Sequence, residues 1–264
     1  MTFQPIVPIS GYAGWIFLNR TLEAQQETHS ESLQTNTDYF AEHIGEVKTA
    51  EDLVSDRKLL TVALGAFGLD DDINSTFLIR KVLEEGVSNS DSLANKLSNQ
   101  AYYNLSEAFG FGEEQPARTS LSGFADEIIS AYNTVQFALD VGDQNEDFGL
   151  ALNAKSTLPD IAESSVSNNA KWYSIMGSTT LRTVFETAFG LPSEFASLDI
   201  DEQLEIFKDK AEKRFGSDEV SQFSDPEKMD ALVKTYLLRS EMSDIMQSVS
   251  ASNTALMLLS GATS

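Results

Sequence analysis

The chain has 264 residues and contains no cysteine. Without thiols it has no disulfides, iron–sulfur clusters, cysteine-based zinc sites or thiol nucleophile. Basic residues are also scarce: 18 Lys and Arg stand against 41 Asp and Glu, which gives a formal net charge of −23. A surface of this sign repels phosphate backbones and anionic lipids, so we expect no nucleic-acid partner and favour a protein partner with basic patches.

Long apolar runs are missing as well. No run approaches the roughly 20 residues that are needed to cross a bilayer. The N-terminus lacks a basic segment and is interrupted by Pro5 and Pro8. We therefore expect no membrane insertion and no cleavable signal peptide, whereas export by a route that reads uncleaved N-termini stays open.

The residues that usually carry catalysis are few. The two histidines, His29 and His43, lie in a predicted polar helix over 20–47. They would be about 21 Å apart along a straight helix, too far to share a metal ion, and we interpret both as surface residues. There is no nucleophile elbow, phosphate loop or dinucleotide-binding glycine motif. We predict a non-enzyme with no catalytic, cofactor-binding or metal-binding residues.

Two alternatives stay open. Asp143, Asn145 and Asp147 match the first ligand positions of a calcium loop, although Phe148 and Ala154 stand where that loop needs Gly and Glu. A weak divalent-cation site is therefore one alternative. The other is a helical enzyme with a carboxylate-lined pocket between helices, which requires two inward-facing acids with raised pKa values.

What the sequence does contain is helical periodicity, with no strand-like alternation. The tripeptide Ala-Phe-Gly ends three apolar patterns at 66–68, 108–110 and 188–190, and its glycines are 42 and 80 positions apart. We expect each Phe to anchor a helix in the core and each Gly to end that helix in the left-handed conformation. The spacing predicts an all-α, multi-helical fold with degenerate helical repeats of about 40 residues.

Capping signals place several helix ends. Thr49 and Asp52 predict a capping box, with Asp in place of the usual Glu. Acidic residues at the start and basic residues at the end predict a helix over 199–215 that Gly216 stops. Asp225 followed by Pro226 predicts the start of another helix. Residues 148–158 are ambiguous, and we expect Pro159 to end whatever element they form.

These signals predict five segments. They are an extended apolar arm over 1–19, an N-terminal helical repeat region over 20–112, a linker over 113–122, a C-terminal helical repeat region over 123–245, and a tail helix or frayed end over 246–264.

The two ends of the chain supply the candidate partner-binding residues. In the arm they are Tyr12, Trp15 and Phe17, and near the C-terminus they are Leu256, Met257 and Leu259. An apolar arm packs either on its own domain or on a neighbouring molecule, and both interpretations stay open. The oligomeric state is also open.

Four blocks resemble one bacterial family, the uncharacterised DUF1217 family. They are GYAGW at 11–15, DYF at 38–40, DRKLLTVALGAFGL at 56–69 and FGFG at 109–112. The resemblance implies a protein that is often encoded near flagellar genes, and hence flagellar components as partners and a cytoplasmic or flagellum-associated location. It implies no catalytic residues. The overall expectation is a helical structural, assembly or interaction protein.

Overall fold

The computed structural model describes residues 3–7, 9–97, 99–112 and 117–261, with side chains up to residue 246. The fold is 80% helical and these residues form no β-strand, so the all-α prediction is confirmed. The repeats remain a prediction. The helices are α1 (Gly11–His43), α2 (Ala50–Ser55), α3 (Arg57–Gly65), α4 (Thr76–Glu85), α5 (Leu93–Lys96), α6 (Gln100–Phe109), α7 (Phe124–Gln144), α8 (Glu146–Glu163), α9 (Asn168–Gly177), α10 (Thr179–Phe189), α11 (Ile200–Phe215) and α12 (Pro226–Gly261).

The chain divides into two compact units. The first comprises Met1–Val7, Leu18–Gly149 and Ser174–Thr179, and the second comprises Pro8–Phe17, Leu150–Tyr173 and Thr180–Ser264. The main division therefore falls after Gly149 and not at the predicted linker over 113–122. The reason is that α7, which follows that linker, contributes its side chains to the core of the first unit.

The core of the first unit is mostly aliphatic. It is built on α2 and α3, whose starts are closely capped. The Thr49 hydroxyl accepts a hydrogen bond from the Asp52 N–H at 3.1 Å, and the Asp52 carboxylate accepts one from the Thr49 N–H at 3.0 Å, which confirms the capping box. The Asp56 carboxylate caps α3 by accepting from the Lys58 and Leu59 N–H groups at 2.9 and 3.2 Å. The buried core residues include Leu53, Leu59, Leu60, Val62, Leu64, Ile79, Leu83, Leu105 and Ile128.

The core of the second unit is aromatic. Trp172 meets Phe185 and Phe207 edge to face, with ring centroids 5.4 and 5.8 Å apart. Its indole N–H donates to the Asp218 carbonyl at 2.8 Å, so the one polar atom of the ring is satisfied. Four further rings complete this aromatic cluster: Phe189, Phe195, Phe215 and Phe223.

The three Ala-Phe-Gly tripeptides end helices as expected. Gly68, Gly110 and Gly190 have φ values of +68°, +66° and +65°. At Gly68 the following residue, Leu69, donates its N–H to the Leu64 carbonyl at 3.0 Å, which is the Schellman pattern. Leu191 repeats this bond to the Glu186 carbonyl at 2.9 Å.

Two predicted boundaries are wrong. The extended arm does not reach residue 19, because α1 begins at Gly11 and nothing after Gly14 prevents the next residues from continuing it. α8 runs past Pro159 to Glu163, although we expected Pro159 to end it. A proline inside a helix removes one backbone hydrogen bond and disturbs the preceding turn, but the surrounding packing can tolerate this cost.

Candidate functional site

The first half of α12 packs into the second unit. Its start is fixed by Asp225, whose side chain accepts from the Glu227 N–H at 2.9 Å, as the Asp-Pro pair predicted. Lys228 donates to the Phe215 carbonyl at 2.5 Å and ties α12 to the end of α11. The buried face consists of Met229, Leu232, Val233, Tyr236 and Leu237.

The face of α12 beyond Leu237 is different. Leu238, Met242, Ile245 and Met246 are large and apolar, yet 40%, 56%, 56% and 67% of their surfaces are exposed. We call these four residues the α12 stripe. At about 100° of rotation per residue, the stripe lies roughly opposite the buried face of the same helix. Packing within the unit therefore does not account for its apolar character.

The C-terminal candidates continue along the same helix. Leu256, Met257 and Leu259 lie in the backbone of α12, which ends at Gly261. Their side chains fall outside the described residues, so their role as partner-binding residues stays a prediction.

The N-terminal candidates belong to the second unit and have different environments. Trp15 is 3% exposed, and the Lys155 ammonium lies 6.0 Å from its ring. Tyr12 is half-buried, with the Lys234 ammonium 5.4 Å from its ring. Phe17 is 41% exposed. Of these three predicted residues, Phe17 presents the most apolar surface, whereas Trp15 contributes to the core.

The extended segment 3–7 packs on the first unit, which is one of the two interpretations left open above. Gln25 of α1 accepts from the Ile6 N–H at 2.7 Å and donates to the Ile6 carbonyl at 3.4 Å. Gln144 of α7 donates to the Pro5 carbonyl at 2.7 Å. The segment is held through its backbone, since the Ile6 side chain itself is 61% exposed.

His29 lies beneath this segment and is buried, so its interpretation as a surface residue is wrong. Its Nε2 is 3.1 Å from Asp140 Oδ2, and its ring meets Phe3 and Phe137 at centroid distances of 5.2 and 5.5 Å. Burial lowers the pKa of His29, and Asp140 partly opposes this effect. Its Nδ1 is buried without a hydrogen-bond partner in the described structure.

The spacing of α1 contained a signal for this burial. His29 precedes Leu33 by one helical step of four residues, so it extends the stripe of Leu33, Thr37 and Phe40. Because the residues around His29 are mostly polar, the predicted apolar stripe began only at Leu33. His43 is half-buried, with its ring stacked on Tyr39 at 4.0 Å.

Among the described residues, two carboxyl groups have raised pKa values, and they lie in different units. Burial raises the pKa of Asp70 in the first unit, where Gln136 donates to it at 2.9 Å. Burial also raises the pKa of Asp160 in the second unit, and Glu163 adds to the effect. In the first unit, burial and the hydrogen bond that the Tyr102 hydroxyl donates to Asp72 raise the pKa of Tyr102 to about 12. Asp70 and Asp160 are therefore not paired with each other within one unit.

The calcium-like segment does not form a loop. Asp143 lies in α7 and Asp147 in α8, and Asn145 between them caps α8 by accepting from the Phe148 N–H at 3.0 Å. In the part of the chain that the structure describes, no three His, Asp or Glu side chains are placed to hold a metal ion. Over the same residues, no helix combines the length and apolarity needed to cross a membrane.

The described residues define an all-α protein with two helical units and an exposed apolar stripe on its last helix. The chain belongs to the DUF1217 family of proteins of unknown function, whose family model matches residues 66–229. This confirms the resemblance, and the α12 stripe lies beyond the matched segment. No curated protein matches the chain.

A crystal structure of a protein from Agrobacterium tumefaciens is similar to this fold. The two share 25% sequence identity with a TM-score of 0.73, and the match covers 91% of this chain and 99% of that one.

Proposed function

We propose that this protein is a non-enzymatic helical protein that binds a protein partner through the α12 stripe. The observation that carries the proposal is the exposure of Leu238, Met242, Ile245 and Met246 on the face opposite the buried face of the helix. Contiguous apolar patches on a soluble surface are typical of interaction sites. A helix that presents such a face commonly binds another helix or a hydrophobic groove.

The α12 stripe is a better candidate than the N-terminal segment. The backbone of residues 5 and 6 already has its hydrogen-bond partners in Gln25 and Gln144. A partner that took this segment would first have to replace those bonds, whereas more than a third of the surface of each stripe residue is already exposed. We therefore place the primary binding face on α12.

The proposed setting is the bacterial flagellum, and it rests on the family resemblance alone. The protein and its partner then belong to the flagellum or to the apparatus that assembles it. The net charge of −23 disfavours nucleic acid as the partner, because an acidic surface repels phosphate.

The test is a motility assay with two chromosomal variants in the bacterium that encodes the protein. Met242→Glu places a charge in the middle of the stripe. Ser243→Glu places the same charge on the adjacent exposed residue, which lies about 100° further round the helix. We expect Met242→Glu to reduce swimming to the level of a deletion strain, and Ser243→Glu to leave it unchanged at equal protein abundance. Normal swimming of the Met242→Glu strain contradicts the proposal.

A further inference from the structure

The α12 stripe is the beginning of a longer pattern. From Leu238 onward, one position recurs at alternating steps of four and three residues: 238, 242, 245, 249, 252, 256 and 259. The residues are Leu, Met, Ile, Val, Ser, Leu and Leu, and they include two of the C-terminal candidates. A period of 3.5 residues is the signature of a left-handed coiled coil, since it keeps one seam facing a partner helix.

From this pattern we propose that the partner of the α12 stripe is a second copy of this chain, bound as a parallel, in-register coiled coil. The inference rests on the proposed function, because it names the occupant of the same face. Three features of the chain support it: its charge distribution, the helix propensity of α12 and the one polar residue in the seam.

The charge distribution makes this segment suited to self-association. The whole chain has a net charge of −23, so most of its surface repels another copy. No charged residue occurs between 245 and 264. Two copies can therefore approach along this segment with little like-charge repulsion, whereas a strongly basic partner would find no acidic side chain to pair with there.

The composition of α12 also calls for a packing partner. The last buried residue among those described on this helix is Leu237, and the helix continues to Gly261. The residues from 247 onward are rich in Ser, Asn and Thr, which are weak helix formers, and they contain no oppositely charged pairs. Isolated helices of fewer than about 12–15 residues are marginal in water even with good composition. A second helix along the seam would supply the missing stabilisation.

The one polar seam residue favours a particular arrangement. Ser252 occupies a position where the pattern otherwise has apolar residues. In a parallel, in-register pair, position 252 of one copy lies opposite position 252 of the other, so the one polar position of the seam is matched with itself. In an antiparallel pair about the middle of the seam, position 252 lies opposite Ile245, so a polar position is matched with an apolar one. Polar residues at such positions are known to fix register and orientation.

The absence of cysteine makes the arrangement directly testable by disulfide trapping. Ser252→Cys introduces the chain's single thiol at the seam, and Thr254→Cys introduces it two positions away on the outer face. We treat both full-length variants with oxidised glutathione and separate them on a non-reducing gel. We expect a covalent dimer from Ser252→Cys and at least tenfold less from Thr254→Cys. Equal cross-linking, or none from either, overturns the parallel in-register pair.

A mass measurement tests the association without a covalent bond. By sedimentation equilibrium we expect the wild-type chain and Ser243→Glu to approach twice 29.0 kDa as concentration rises. Met242→Glu should remain at the monomer mass, with unchanged tryptophan fluorescence to show that the packed part of the second unit is folded. A wild-type chain that stays monomeric at all concentrations overturns the inference.

The two proposals fail in distinguishable ways. If the wild-type chain is monomeric but Met242→Glu still abolishes swimming, the stripe binds a different protein and only the self-association is wrong. If the chain dimerises through the stripe but Met242→Glu swims normally, the pairing stands and the flagellar function is wrong.

Discussion

The hydrophobic cores of the two units are built from different kinds of side chain. The core of the first unit is mostly aliphatic and includes one buried histidine beside a short extended segment. The core of the second unit is a cluster of seven aromatic rings centred on Phe185 and Phe207. Rings that meet edge to face have specific geometry, so we expect the second unit to lose more stability when one large side chain is removed.

Both tryptophans also belong to the second unit. Trp15 lies in the segment Pro8–Phe17 and Trp172 in Leu150–Tyr173. Tryptophan fluorescence therefore reports the second unit, while far-UV circular dichroism reports the helices of both units. Comparing the two signals in one denaturation experiment shows whether the units unfold together.

The largest expected effect is in the aromatic core. Phe207→Ala removes a buried ring that contacts Trp172, Phe185 and Phe189. We expect a loss of about 3–5 kcal/mol in the free energy of unfolding, measured by urea titration of tryptophan fluorescence. The matched change in the first unit, Leu60→Ala, should cost about 2–5 kcal/mol by circular dichroism. A smaller loss for Phe207→Ala than for Leu60→Ala contradicts the comparison.

The next effect tests the close approach of α7 and α8 in the first unit. A Cβ at Gly149 would lie 2.6 Å from the Gly142 Cα and 2.9 Å from the Ala138 carbonyl oxygen, so backbone atoms would have to move. We expect Gly149→Ala to cost about 1–3 kcal/mol by urea denaturation. Gly45→Ala is the control, because a Cβ there meets nothing within 4 Å. Equal stability of both variants would show that the helices separate without cost.

A third pair compares the repeated tripeptide in the two units. Gly68→Ala forces a left-handed conformation on a residue with a Cβ, and nothing crowds the new methyl closer than 3.9 Å. We expect a cost of about 1–2 kcal/mol in thermal denaturation. Gly190→Ala carries the same backbone cost and in addition presses on the Arg239 guanidinium, so it should be the more destabilising of the two. The reverse order would mean that the arginine moves away freely.

The smallest effect concerns pH and should be confined to the first unit. The pKa of His29 is lowered in the folded protein, so the unfolded chain binds the proton more readily. The stability contributed by the neutral ring is complete above the ordinary pKa of 6.5 and is lost as the pH falls below it. We expect the melting temperature of the wild type to fall between pH 7.5 and about pH 5.5, beyond any fall in His29→Gln. Identical pH profiles would exclude His29 as the cause.

Features that depend on local sequence were predictable. The Thr49 capping box, the Asp225–Pro226 helix start and the glycine helix ends follow from backbone rules that act within a few residues. The all-α fold class followed from the helical periodicity of the apolar residues. The wrong predictions required knowledge of distant partners: His29 is buried by Phe3 and Phe137, which are far from it in the sequence.

The candidate surface was predicted only in part. The sequence indicated an apolar C-terminal stretch, but Leu238, Met242 and Ile245 are separated by polar residues and adjoin a genuine core face. The exposed fractions of these side chains were needed to separate the packed face of α12 from the exposed α12 stripe. Trp15 shows the opposite case, since nothing local distinguishes a buried indole from an exposed one.

The Gln25 side chain hydrogen-bonds both the N–H and the carbonyl of residue 6, while the side chain of that residue is exposed. Because these hydrogen bonds involve only backbone atoms of residue 6, they do not depend on its side chain. Ile6→Cys would therefore provide a unique attachment point for a spectroscopic label in a chain that has no other thiol. A spin label or dye placed there would report in real time whether the segment 3–7 stays bound to Gln25 and Gln144.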